Sequence, residues 1–223
     1  MEARELAVER GKGPVSGLLQ RPEGAFALFV LAHGAGADMR HRFLQSLADE
    51  LETARVATLR FNFPYTEHGR RAPDPQPVLE AYVRSVCADA ARLAPDLPIF
   101  AGGKSMGGRM TSNAFAREPI AGVRGLVFVG FPLHAAKQPS RARAEHLRAV
   151  TAPMLFLQGT RDDLADLGLM RELCGELEPR ATLREFDGAN HSFAVKKSSG
   201  RTDAEVLGSL ARATADWLRA RLS

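Results

Sequence analysis

The sequence predicts an α/β protein in three layers, a mostly parallel sheet with helices on both faces. Three observations carry that expectation. Short apolar runs alternate with longer amphipathic stretches along the whole chain, the pattern of repeated βα units. The run at 25–32, AFALFVLA, is apolar without alternation, as a strand buried on both faces requires. The length of 223 residues suits one compact core, so residues 1–223 are expected to form a single domain.

The strands are expected at 25–32, 56–61, 99–102, 125–129, 154–157 and 182–186. Helical patterns lie between them at about 43–51, 78–93, 107–115, 141–150 and 167–177, with a last helix over about 202–222. The first 20 residues are expected to add an antiparallel hairpin. The segment 64–77 is rich in proline and charge and reads as an exposed loop near the functional site. Residues 132–140 lead into the short helix at 141–150. Neither segment is long enough for a large lid domain, so an open site is expected.

Composition excludes several classes. Hydrophobic residues make up 45% and charged residues 25%, the balance of an ordinary globular protein. The N-terminal stretch MEARELAVERGKGP is charged and lacks an apolar core, so no secretory signal is expected. The run at 25–32 is far shorter than the ~20 residues of a membrane-spanning helix. The two cysteines, Cys87 and Cys174, have no metal-ligand spacing and are too few for a disulfide scaffold, so reduced thiols in a cytoplasmic protein are expected. The net charge of +4 comes from dispersed cations: Arg70 with Arg71, Lys196 with Lys197, and a looser set of Arg141, Arg143 and Arg148. None is interleaved with aromatics, so these read as a solvated surface, with neither a nucleic-acid nor a membrane partner.

The most informative segment is IFAGGKSMGG at 99–108. Gly103-Lys104-Ser105-Met106-Gly107 matches G-x-S-x-G between an apolar run and a helical pattern. That placement suits a nucleophile elbow, in which a sharp strand-to-helix turn lifts the serine hydroxyl clear of the sheet. Small residues at 103 and 107 allow strand and helix to approach. The helix N-terminus then points at the reacting carbonyl. The same letters end a phosphate-binding G-x-x-x-x-G-K-[ST] loop, but the position of its first glycine is occupied by Pro98.

Serine needs a base. His191, in FDGANHSF at 186–193, is the histidine that follows the last strand and precedes the final helix. The orienting acid should follow the preceding strand, where MLFLQGTRDD at 154–163 offers Asp162, with Asp163 as the competitor. Ser105, Asp162 and His191 then occur in the chain order of a hydrolase triad on an α/β sheet. Two backbone N–H groups are needed for an oxyanion hole. Met106, directly after the serine, and Ala35, in the small-residue loop HGAGA at 33–37, are the candidates, with Gly36 as a further lining residue. His33 is expected to satisfy loop backbone groups. Lys104 has two readings: a lysine paired with a carboxylate, or a pocket cation that favours acidic substrates.

The motifs HGAGA at 33–37, GGKSMGGR at 102–109 and GANHSF at 188–193 resemble those of small dienelactone-hydrolase-like α/β hydrolases. The likeness is nearest to bacterial relatives of the testis-expressed and chromatin-complex α/β-hydrolase-like proteins, and it spans about residues 15–222. It implies the three-layer α/β-hydrolase fold and a triad of Ser105, Asp162 and His191. Dienelactone hydrolases themselves use a cysteine nucleophile, where this chain has Ser105. The expected function is a serine hydrolase that cleaves a small-molecule carboxylic ester or thioester through an acyl-serine intermediate, without metal or organic cofactor. The alternative is a catalytically weak scaffold of the same fold that binds a partner.

Overall fold

The computed structural model describes residues 4–10 and 13–222. Eight strands form one sheet: β1 (Arg4–Arg10), β2 (Gly13–Gln20), β3 (Ala27–Ala32), β4 (Val56–Phe61), β5 (Ile99–Lys104), β6 (Val123–Val129), β7 (Met154–Gly159) and β8 (Ala181–Phe186). Their order across the sheet is β1-β2-β4-β3-β5-β6-β7-β8. The six strands from β4 to β8 in that order run parallel. The hairpin β1–β2 adds antiparallel strands at the β4 edge, as the first 20 residues lead one to expect.

The helices are α1 (Arg42–Thr53), α2 (Pro64–Glu67), α3 (Gln76–Leu93), α4 (Met106–Arg117), α5 (Leu167–Glu176) and α6 (Asp203–Arg219). The side chains of β3 alternate between the two layers they create. Leu28, Val30 and Ala32 pack with α3, α4 and α5, while Ala27, Phe29 and Leu31 pack with α1 and α6. This two-sided burial is why the run reads as uninterruptedly apolar. Among the described residues no insertion forms a separate lid.

Two expectations change in detail. Residues 141–150 form a 3-10 segment, Ala142–Ala149, rather than an α-helix. Its apolar residues Ala144, Leu147 and Val150 recur every third position and are all buried, a spacing that fits three residues per turn. The segment 64–77 is exposed at 68–73 and at Pro75 and Pro77, but not throughout. It begins with the turn of α2, which Pro64 opens and Tyr65 anchors in the core. Near its end lies Asp74, buried and paired with Arg70 at 2.7 Å.

The strand order reverses at β3. The chain moves from β3 outward to β4, then returns to β5 on the other side of β3. Loops leaving the C-terminal ends of β3 and β5 therefore diverge and open a crevice, the usual ligand position in such sheets. One lip of that crevice is held by a buried cation. Arg60 on β4 is fully enclosed; its Nη1 donates to Met39 O at 3.1 Å and Gln45 Oε1 at 2.8 Å, and its Nη2 donates to Gln20 Oε1 at 3.2 Å. Arg60→Ala should lose about 3–5 kcal/mol, because it leaves a cavity and takes the donor from three acceptors, two of them buried. Urea denaturation checks this; a loss below about 1 kcal/mol would show that the network contributes little.

Candidate active site

The turn from β5 to α4 sets the site. Ser105 lies at φ 51°, ψ −116°, a positive-φ conformation rare for a residue with a side chain. Its N–H donates to Val129 O at 3.1 Å, and its carbonyl accepts the first helical bond from Arg109 N at 3.1 Å. The turn needs glycine on both sides. A Cβ at Gly103 would strike the Ala32 carbonyl, and one at Gly107 would lie 2.6 Å from the carbonyl oxygens of both Ala32 and His33.

The structure brings Ser105, His191 and Asp162 together. His191 Nε2 lies 2.9 Å from Ser105 Oγ, and His191 Nδ1 lies 2.8 Å from Asp162 Oδ2. Asp162 is buried, whereas Asp163 is exposed, and Asp166 caps α5. The Asp162 carboxylate also accepts from Gln158 Nε2 at 2.6 Å and from Leu164 N at 2.8 Å. Facing the Asp162 carboxylate through Nδ1, His191 is set to donate there and to turn its Nε2 lone pair towards Ser105.

The loops carrying the acid and the histidine are knitted to each other. Thr160 N donates to Phe186 O at 3.1 Å, and Arg161 N donates to Ala189 O at 2.9 Å. Within GANHSF, Asn190 Oδ1 accepts from Ser192 N at 2.9 Å and Ala194 N at 3.0 Å, shaping the turn that presents His191.

The loop after β3 lies on the other side of the serine. His33 is buried. Its Nδ1 donates to Gly34 O at 2.8 Å, and its Nε2 accepts from Phe63 N at 3.1 Å. Burial lowers its pKa, so the ring is a neutral brace for the loop. Ala35 and Gly36 both line the cleft. Met106 opens α4, so its N–H has no intrahelical acceptor.

The cleft has two lobes that meet at Ser105, Ala35 and Leu164. One lobe, about 350 Å³, is lined by Gly36, Phe43, Lys104 and His191. The other, about 370 Å³, is lined by Asp74, Met106, Arg109 and Arg143. Gln158, Arg109 and Arg143 belong to the site although no motif read above points to them. Gln158 was legible as the one polar side chain of a buried strand, and Arg109 as the residue one helical turn beyond Ser105.

Lys104 is half-buried, with Nζ 3.3 Å from His191 Nε2 and over the rings of Phe193 and Phe43 at 5.7 and 5.9 Å. Among the described residues it has no carboxylate at ion-pair distance, so the carboxylate pairing expected as one alternative is replaced by aromatic faces and an imidazole. Burial lowers its pKa to about 8, only partly offset by the charge of Asp162. A lysine that is harder to protonate when folded destabilises the protein at neutral pH. That cost declines as pH rises through about 8 and vanishes above the unfolded value of 10.5. Lys104→Met should therefore raise stability at pH 7 by roughly 2–3 kcal/mol, and the gain should shrink as pH approaches 10.5. Paired melts across that range test this; a gain that does not change with pH would contradict it.

Known proteins share this architecture. A 1.92 Å structure of dienelactone hydrolase from Anabaena variabilis superposes with a TM-score of 0.78 at 21% identity, covering 99% of this chain and 98% of that one. A serine hydrolase without a lid from Xanthomonas campestris gives 0.74 at 20% identity, covering 97% and 95%. Est1E from Butyrivibrio proteoclasticus, with ferulic acid bound, gives 0.73 at 15% identity, covering 97% and 99%. Two strains of Mycobacterium tuberculosis have relatives named as a phosphoribosyl transferase, 28% identical over 218 residues, which cover 96% of this chain. The chain spans only 45% of their length. Among the described residues, no helix is long and apolar enough to cross a membrane. Residues 25–219 match the α/β hydrolase domain family, and the chain belongs to that family.

Proposed function

We propose that this protein is a serine hydrolase that cleaves a small-molecule carboxylic ester or thioester through an acyl-serine intermediate. The observation that carries this reading is the continuous hydrogen-bonded chain Ser105–His191–Asp162 at the crevice of the sheet, with spacings of 2.9 and 2.8 Å. His191 Nε2 takes the Ser105 proton as Oγ attacks the carbonyl carbon. Asp162 holds the ring in the required tautomer and stabilises the imidazolium. Charge developing on the carbonyl oxygen is met by the N–H groups of Met106 and Ala35. The imidazolium then gives its proton to the departing alcohol or thiol. Water repeats the sequence from the same side and releases the acid. The broader likeness to dienelactone-hydrolase-like proteins supports this reading. The narrower one, to bacterial relatives of the testis-expressed and chromatin-complex proteins, rests on the three sequence motifs alone. The transferase name of the mycobacterial relatives belongs to proteins of which this chain spans 45%, and it does not describe the geometry at Ser105.

Ser105→Ala should abolish both ester turnover and labelling by a fluorophosphonate probe while the protein stays folded. Failure of the unaltered protein to label, together with no turnover across an ester and thioester panel, would favour a binding scaffold. His191→Ala should lose about 10²–10⁴-fold, the usual contribution of a general base.

Asp162→Asn should lower kcat by about 10⁴, as the same change does in a well-studied triad. Asp163→Asn should change kcat little, since Asp163 is exposed. The reverse ranking in side-by-side kinetics would transfer the acid role to Asp163.

A further inference from the structure

We infer that the lobe lined by Arg109 and Arg143 is a carboxylate subsite, and that the preferred substrates are half-esters or half-thioesters of short dicarboxylic acids. This inference rests on the serine-hydrolase reading and names its substrate class.

The two lobes of the cleft have different chemical duties. His191 lines the first lobe, and the leaving group must receive its proton from that imidazole. The leaving group therefore occupies the His191 side. The acyl portion is directed into the second lobe, beside Met106 and its N–H.

That second lobe carries two guanidinium groups that are not engaged by acids. Among the described residues neither Arg109 nor Arg143 forms an ion pair. Arg109 Nε is buried and has no hydrogen-bond partner. Arg143 has one bond, from Nη1 to His134 O at 3.0 Å, which fixes its position without neutralising it. Burial and the like charge of Arg143 both lower the pKa of Arg109, as for two cations facing one space. Arg109 also lies four residues after Ser105 on α4. Side chains at that spacing share a helix face and lean towards the N-terminus, which places the guanidinium on the serine side.

The other titratable groups there do not cancel this charge. Asp74 lines the same lobe, but its Oδ1 is held by Arg70 at 2.7 Å. Its Oδ2 is buried without a hydrogen-bond partner. His146 is driven down to about 4 by burial and by Arg109, so it is neutral at pH 7. The N-terminus of α4 adds positive potential of its own. A carboxylate on the acyl chain would supply the missing counter-charge. One helical turn, about 5.4 Å, separates positions 105 and 109, so a short diacid spans the distance.

The test compares aryl half-esters of short linear dicarboxylic acids with neutral aryl esters of the same chain length. The unaltered enzyme should favour the half-ester in kcat/KM, and free glutarate should compete with a neutral ester. Arg109→Gln and Arg143→Gln should each cut the half-ester-to-neutral ratio by about tenfold or more, mostly through KM. Equal preference in the unaltered enzyme, or a ratio that survives both substitutions, would overturn the subsite. Arg143 lies on an exposed segment, so its variant keeps the test open if Arg109→Gln does not fold. Titration of glutarate into Ser105→Ala protein reads the subsite without catalysis. Binding there that is lost on adding Arg109→Gln supports the subsite even if no ester is turned over, and absent binding sinks it independently of the hydrolase reading.

Discussion

Where α4 leaves β5, two backbones meet with no room for a side chain between them. Gly103 and Gly107 lie against the carbonyls of Ala32 and His33, at the end of the neighbouring strand. This contact joins the two loops that flank the crevice, and most of the site depends on it. A side chain at either glycine would push the loop at 33–37 away from Ser105 or force the turn to relax. The positive φ of Ser105 persists because the flanking strand and helix are both fixed, which leaves the serine no easier conformation.

The opposite wall is built by a second set of backbone contacts. The loop after β7 carries Asp162, and the loop after β8 carries His191. Gly159 lets them approach, since a Cβ there would collide with the Ala189 carbonyl. Polar side chains then lock the loops. Gln158 holds Asp162 from below. His134 Nδ1 donates to Ala135 O, and its Nε2 accepts from Asp166 N, so a neutral histidine braces this side as His33 braces the other. Neither brace needs charge, and both rings are largely buried, where a charge would be costly.

The buried cations have a different logic. Arg60 is fully enclosed, and although its Nε has no partner, both its Nη atoms are hydrogen-bonded to neutral acceptors, so it serves the frame. Lys104 and Arg109 stand beside the crevice with incomplete partners. Retaining such groups costs folding free energy that hydrophobic side chains of similar size would return. An anion bound at the crevice, as in the carboxylate subsite proposed above, would offset that cost. Stability traded for a charged, pre-formed cleft is a common pattern in enzymes.

The sequence by itself determined the sheet-and-helix alternation and the elbow at Ser105, and it narrowed the position facing the histidine loop to Asp162 or Asp163; the structure buries Asp162 against His191 and leaves Asp163 exposed. Each of these sequence signals is written locally: in an apolar run such as 25–32, in glycines two residues either side of a serine, or in the two aspartates that follow the strand at 154–157. Helix type at 142–149 was less legible, because a three-residue burial period and a 3.6-residue one differ little over eight positions. Only the tertiary structure decided which distant side chains share the cleft. Lys104 meets His191 across 87 residues of chain, and Arg109 faces Arg143 because α4 and the 3-10 segment pack side by side. Such meetings follow from strand order and layer packing, to which no local periodicity is sensitive. Arg143 accordingly reads in sequence as solvated surface, and only the packing of the layers brings it to the cleft beside Arg109.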